Sequence, residues 1–155
     1  MSRSKWLCDG NRVPWPPEPL TFFIDRCLRT TIIPKALREA GADVELHDDH
    51  FRTDCKDLVW LAEVGARHWT ILTKDKRILH RGIELQALTN AKATAFILTG
   101  RDMTGSEIAR AFVAALPRIK NLLKTYNRPL LATVSRSGIV TVKIGERRGG
   151  IKIWR

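Results

Sequence analysis

Apolar residues in this chain gather into short unbroken runs, separated by stretches where they recur every three or four positions. Leu20–Ile24, Val44–Leu46, Trp69–Leu72 and Ala93–Leu98 predict strands, and the lack of alternation in Leu20–Ile24 predicts burial on both faces there. Between them the spacing predicts helices. One spans Thr30–Ala40, with Pro34 tolerable in its first turn and Gly41 as its stop. A second carries Leu58, Leu61, Ala62 and Val64, with Thr53 or Asp54 as cap and Gly65 as its end. A third runs through Leu85–Leu88. The sequence Thr104-Gly105-Ser106-Glu107 is a capping box that opens a long helix through Leu123. Leu130–Val134 and Ile139–Ile144, joined by Ser135-Arg136-Ser137-Gly138, read as a C-terminal β-hairpin. Alternating strand and helix predicts an α/β fold: a three-layer α/β/α sandwich with a mostly parallel central sheet.

Residues 1–19 carry Pro14, Pro16, Pro17 and Pro19 around Trp15, which disfavours helix and sheet and predicts an extended arm. The folded domain is expected over 20–145. A basic tail follows over 146–155, with Glu146 to Gly150 expected to be flexible. The 155 residues, 44% of them hydrophobic, suffice for one core. No run is apolar for the length of a membrane span, and Met1 to Trp6 leads into Asp9, Asn11 and Arg12 rather than a signal-peptide apolar region. Cys8, Cys27 and Cys55 are odd in number and form no Cys-x-x-Cys pair, which argues against a disulfide framework or a thiolate zinc site. These features predict a soluble cytoplasmic protein with reduced thiols.

The net charge of +11 is unevenly placed. From Arg110 onward, Lys120, Lys124 and the other basic residues face the single acid Glu146. The middle of the chain concentrates Asp43, Glu45, Asp48, Asp49, Asp54, Asp57 and Glu63. An acidic centre with a basic flank suits an enzyme that neutralises a polyanion at its edges and presents carboxylates where it reacts. Simple solubility explains the excess equally well.

In parallel α/β sheets, ligands bind beyond the carboxyl ends of the strands. Asp25 and Asp75 both follow predicted strands, and Asp57 lies in the first turn of the helix between them. Singly, each has a plain structural reading: Asp25 and Asp57 as helix-capping groups, Asp75 as a turn residue. Together at one sheet edge they repel one another unless a cation or shared protons intervene, and oxygen-only ligands favour Mg²⁺ or Mn²⁺. Thr73 is placed to orient the Asp75 carboxylate. Lys74, Lys76 and Arg26 are placed to meet phosphates, and Lys120 with Lys124 to hold a nucleic-acid strand.

Four segments, Phe22-Phe23-Ile24-Asp25-Arg26, Ile33 to Gly41, Asp57 to Ala66, and Trp69-Thr70-Ile71-Leu72-Thr73-Lys74-Asp75-Lys76-Arg77-Ile78, occur here in the order seen in PIN-like domains grouped with VapC-type toxins. The chain resembles that family from about Leu20 to Ile144. The resemblance implies an α/β/α fold whose acidic pocket binds Mg²⁺ or Mn²⁺ and cleaves RNA, often as the toxin of a toxin–antitoxin pair, with an antitoxin protein as partner. By position Asp25 corresponds to the family's first acid, Asp57 to the helical acid, where many members have Glu, and Asp75 to the acid after the third strand. Asp102 is the choice for the fourth position, with Asn90 or Thr99 as alternatives.

Other clusters carry less. His47-Asp48-Asp49-His50 has zinc-binding residue types but lacks a third convergent ligand, so a solvated turn is expected. Lys35, Arg38 and Arg29 fit an exposed helix face as well as a phosphate grip. Trp6 and Trp15 could stack on bases or bury the arm. A phosphoacceptor receiver domain needs adjacent acids after strand one, whereas Arg26 follows Asp25. A non-catalytic nucleic-acid-binding or protein-binding module on the same fold stays open as the alternative function, and a homodimer is the default assembly.

Overall fold

Residues whose side chains must alternate between two buried sheet faces are mostly apolar, and the central strands obey this apart from the buried threonines Thr70, Thr73 and Thr94 at strand ends. The computed structural model describes residues 20–28, 30–80 and 82–148. Strand β1 (Thr21–Ile24) leads through a 3-10 turn (Arg26–Leu28) to α1 (Ile32–Glu39) and β2 (Asp43–Leu46). A single-turn helix α2 (His47–His50) and α3 (Asp57–Ala66) precede β3 (Thr70–Thr73). A second 3-10 turn (Lys76–Leu79) and α4 (Gly82–Asn90) connect to β4 (Thr94–Leu98), and α5 (Gly105–Thr125) connects to the hairpin of β5 (Tyr126–Val134) and β6 (Val140–Arg147).

The six strands form one sheet in the order β2-β1-β3-β4-β5-β6. All pairings are parallel except that of β6 with β5. Period-two alternation divides the core. Phe22, Ile24, Leu72 and Phe96 face α1 and α5, meeting Ile33, Leu37 and Phe112. Phe23, Ile71, Ala95 and Ile97 face α3 and α4, meeting Trp60, Leu61 and Leu88. The predicted three layers are therefore present. The capping box is too: Thr104 Oγ1 accepts from Glu107 N at 3.2 Å and Glu107 Oε1 accepts from Thr104 N at 2.8 Å.

Several local expectations need correction. Neither Thr53 nor Asp54 caps α3, whose N-cap is Lys56. Asp54 instead meets the exposed Arg52 at 3.1 Å. Gly65 lies inside α3 rather than ending it. A Cβ there would stand 2.6 Å from the carbonyl oxygen of Ala91, so the glycine lets the end of α4 close onto α3. Gly41, at φ +96°, does follow α1 as expected. The His47–His50 segment is helical rather than a solvated turn, and His47 is only 1% exposed, with ring centroids 5.5 Å from Phe51 and 5.6 Å from Trp60. Glu146 and Arg147 belong to β6, where the Arg147 guanidinium lies 5.8 Å from the Tyr126 ring centroid. The arm with Trp6 and Trp15, Arg29, and residues 149–155 lie outside the described residues. Among the described residues, no helix is long and apolar enough to cross a membrane.

Candidate active site

β1 has β2 on one side and β3 on the other, so the chain reverses its direction of winding around β1. A crevice opens at such a point, beyond the carboxyl ends of the two diverging strands. Asp25 is the first residue past β1, and its amide donates to Leu72 O at 3.0 Å, extending the ladder with β3. Only 7% exposed, its carboxyl group needs partners. Thr73 Oγ1 donates to Asp25 Oδ2 at 2.8 Å and Cys27 Sγ donates to the same oxygen at 3.5 Å. The Thr73 oxygen accepts from the Asp75 amide at 3.1 Å. The hydroxyl therefore orients Asp25 and touches Asp75 only at its backbone, where the sequence suggested the Asp75 carboxylate. Burial, and then the charge of Asp25, push the Cys27 thiol up to about 11, so it stays a protonated donor and is not a nucleophile.

Two more acids enter from helix starts. Asp57 opens α3, and its Oδ1 accepts from Trp60 Nε1 at 3.0 Å, one turn along the helix, and from Arg26 Nη2 at 3.5 Å. Arg26 is spent on local structure, because it also donates to Thr53 O at 2.6 Å and Cys55 O at 3.3 Å. Glu84 lies in the first turn of α4 and also faces this crevice. Asp75 caps the second 3-10 turn by accepting from Arg77 N at 3.1 Å, and the Arg77 guanidinium grips both carboxylate oxygens at 2.9 and 3.1 Å.

Asp25, Asp57, Asp75 and Glu84, with Arg26 and Arg77, line one cleft of about 220 Å³. Four carboxyl groups against two guanidinium groups leave a formal excess equal to the charge of one divalent cation, and the donors are all hard oxygens, the kind Mg²⁺ and Mn²⁺ take. In both respects the residues fit such an ion. The side chains of Asp25, Asp57 and Asp75 are nevertheless turned to internal partners, and among the described residues no three His, Cys, Asp or Glu side chains already form a metal-ligating group.

Other predicted positions fall elsewhere. Asp102, at φ 52°, is exposed and does not line the cleft. The connection it occupies leads to α5, on the opposite sheet face from α3 and α4, and packs on the hairpin turn through Arg136 and the Arg101 carbonyl. Thr99 donates to Val134 O at 3.3 Å, and Asn90 sits at the last turn of α4, ~9 Å along the axis from Glu84. Glu84 is the acid that sequence reasoning missed; its signal was the same as that of Asp57, a carboxylate in the first turn of a helix flanking β3. Lys74 is exposed beside the site and Lys76 half-buried, and neither lines the cleft. Lys120 and Lys124 are exposed on α5, but ~22–28 Å of helix separates them from its start, which puts them at the amino edge of the sheet, far from the cleft. His47 and His50 do not converge, since His50 Nε2 meets Glu45 at 2.6 Å while His47 packs among the aromatics.

The amino edge also holds a titrating group. His68, at φ 60° just after α3, has its pKa lowered to about 4 by burial and then by the charge of Arg128. The stability it contributes is complete above about 6.5, its ordinary value, and is lost as pH falls toward 4, because the unfolded chain takes up the proton first. Replacing His68 with Asn, which tolerates this backbone region, is expected to flatten the acid-side fall in melting temperature over that window. An unchanged pH profile would remove His68 as its source.

A family model described as "PIN like domain" matches residues 20–100, the part of the chain that supplies β1 to β4 and all four cleft acids. The protein named "Putative ribonuclease VapC45" of Mycobacterium tuberculosis is 26% identical over 124 residues, spanning 77% of this chain and 89% of the relative. No solved structure matches. Since the family model covers more than half of the chain, and β1 to β4 and the acidic crevice lie where that match falls, the chain belongs to the PIN-like domain family.

Proposed function

We propose that this protein is a ribonuclease that uses Mg²⁺ or Mn²⁺, with its chemistry in the cleft beyond β1 and β3. The observation that carries this reading is the meeting of four acids from separate chain segments in one cleft, one of them buried and fixed by Thr73. The name of the mycobacterial relative supports RNA as substrate, and family membership supports an antitoxin protein as partner. Asp25, Asp57, Asp75 and Glu84 would hold the cation. When bound, such an ion polarises a phosphate and makes a neighbouring water more acidic.

The chain's own residues set the stage for that chemistry. Thr73 and Cys27 hold Asp25 in one orientation, and Trp60 does the same for Asp57, so two carboxylates are fixed before anything binds. Of the predicted phosphate contacts, Arg26 lines the cleft but is engaged with Thr53, Cys55 and Asp57, and Lys74 is exposed beside the site. Incubation with single-stranded RNA is expected to give cleavage with Mg²⁺ or Mn²⁺, none in excess chelator, and a large loss in Asp75→Asn. RNA binding without any cation-dependent cleavage would favour the binding-module alternative.

A further inference from the structure

The two guanidinium groups in the cleft are held differently. Arg26 is anchored by two backbone carbonyls, at 2.6 and 3.3 Å, and reaches Asp57 only at 3.5 Å. Arg77 has the opposite balance. Its guanidinium bonds to Asp75 at 2.9 and 3.1 Å, and its side chain is 66% exposed. Asp75 does not depend on that guanidinium for its place, because Oδ1 also accepts from the Arg77 backbone amide at 3.1 Å. The carboxylate can thus keep its orientation when the guanidinium leaves, and the exposed pair holds the guanidinium only weakly.

From this contrast we infer that Arg77 is an exchangeable occupant of the site: it neutralises Asp75 in the free protein, gives way when a divalent cation takes that carboxylate, and turns onto a phosphate of the RNA. This rests on the cation site proposed above. A guanidinium suits both anions, since its fork matches carboxylate and phosphate alike. The exchange links the two ligands. Phosphate binding draws Arg77 off Asp75 and favours the cation, and by reciprocity the cation favours the RNA.

The test is titration of the full chain with Mn²⁺ alone by calorimetry, and with single-stranded RNA in chelator by fluorescence anisotropy. Arg77→Ala is expected to bind Mn²⁺ about two- to fivefold more tightly than wild type, having lost its internal competitor, and RNA about two- to fivefold more weakly. Arg77→Lys, which keeps the charge without the fork, should fall between. Mn²⁺ affinity in Arg77→Ala equal to or below wild type overturns the exchange, as does undiminished RNA affinity. Asp25→Asn is the control for the underlying reading: if it binds Mn²⁺ as wild type does, the cleft is not the cation site and the inference falls with it.

Discussion

Asp25→Asn is expected to lower RNA cleavage by on the order of 10²–10³-fold while altering the stability of the cation-free protein by less than about 1 kcal/mol. The side chain is buried, and its two donors, Thr73 at 2.8 Å and Cys27 at 3.5 Å, can bond an amide oxygen as they bond a carboxylate. What the substitution removes is the negative charge. The rise in melting temperature produced by Mn²⁺ should therefore vanish together with cleavage, since stabilisation by a ligand follows its affinity for the folded state. A variant that cleaves RNA at the wild-type rate would dismiss Asp25 from the chemistry.

The largest effect on stability is expected at Trp60. Its ring is 1% exposed, with centroids 5.4 Å from Phe23 and 5.6 Å from His47, so Trp60→Ala opens a cavity between α3 and the sheet. The expected cost is ~3–5 kcal/mol, a large share of the ~5–15 kcal/mol that holds an ordinary domain together. Urea denaturation would measure it, and a loss of unfolding free energy under half that size would show that neighbouring aromatics collapse into the gap. Trp60→Phe separates packing from hydrogen bonding. It fills most of the space but cannot donate to Asp57, so Mn²⁺ affinity should fall ~10-fold while most of the stability remains.

Much of the architecture was legible because each central strand is buried on both sides, which leaves an apolar run broken only by threonine at its ends, and because Thr104 and Glu107 announce α5 chemically. Less was legible where a residue answers to tertiary neighbours. Gly65 looks like a stop but exists to admit Ala91, and His47 looks solvated but completes an aromatic cluster. The start of β5 at Tyr126 was hidden by Asn127, Arg128 and Pro129, whose polar or ring-restricted character disguises a strand that follows α5 without a loop. Asp25, Asp57 and Asp75 were legible as a set through their positions at strand ends and a helix start. That Glu84 lines the cleft and Asp102 does not was hidden because chain order does not reveal which sheet face a crossover takes. The separation of Lys120 and Lys124 from the cleft follows from the length and direction of α5, which charge counting ignores.

One hydroxyl at residue 73 sits where two strand ends meet. An alcohol owns a single hydrogen, and here it goes to the acid just past β1, while the oxygen that bears it takes an amide from the loop after β3. The two halves of the crevice are thereby riveted at a common point, and neither can drift without breaking a bond to the other. A methyl in place of that oxygen would leave both halves wanting a partner, whereas serine could hold the same rivet with one carbon fewer.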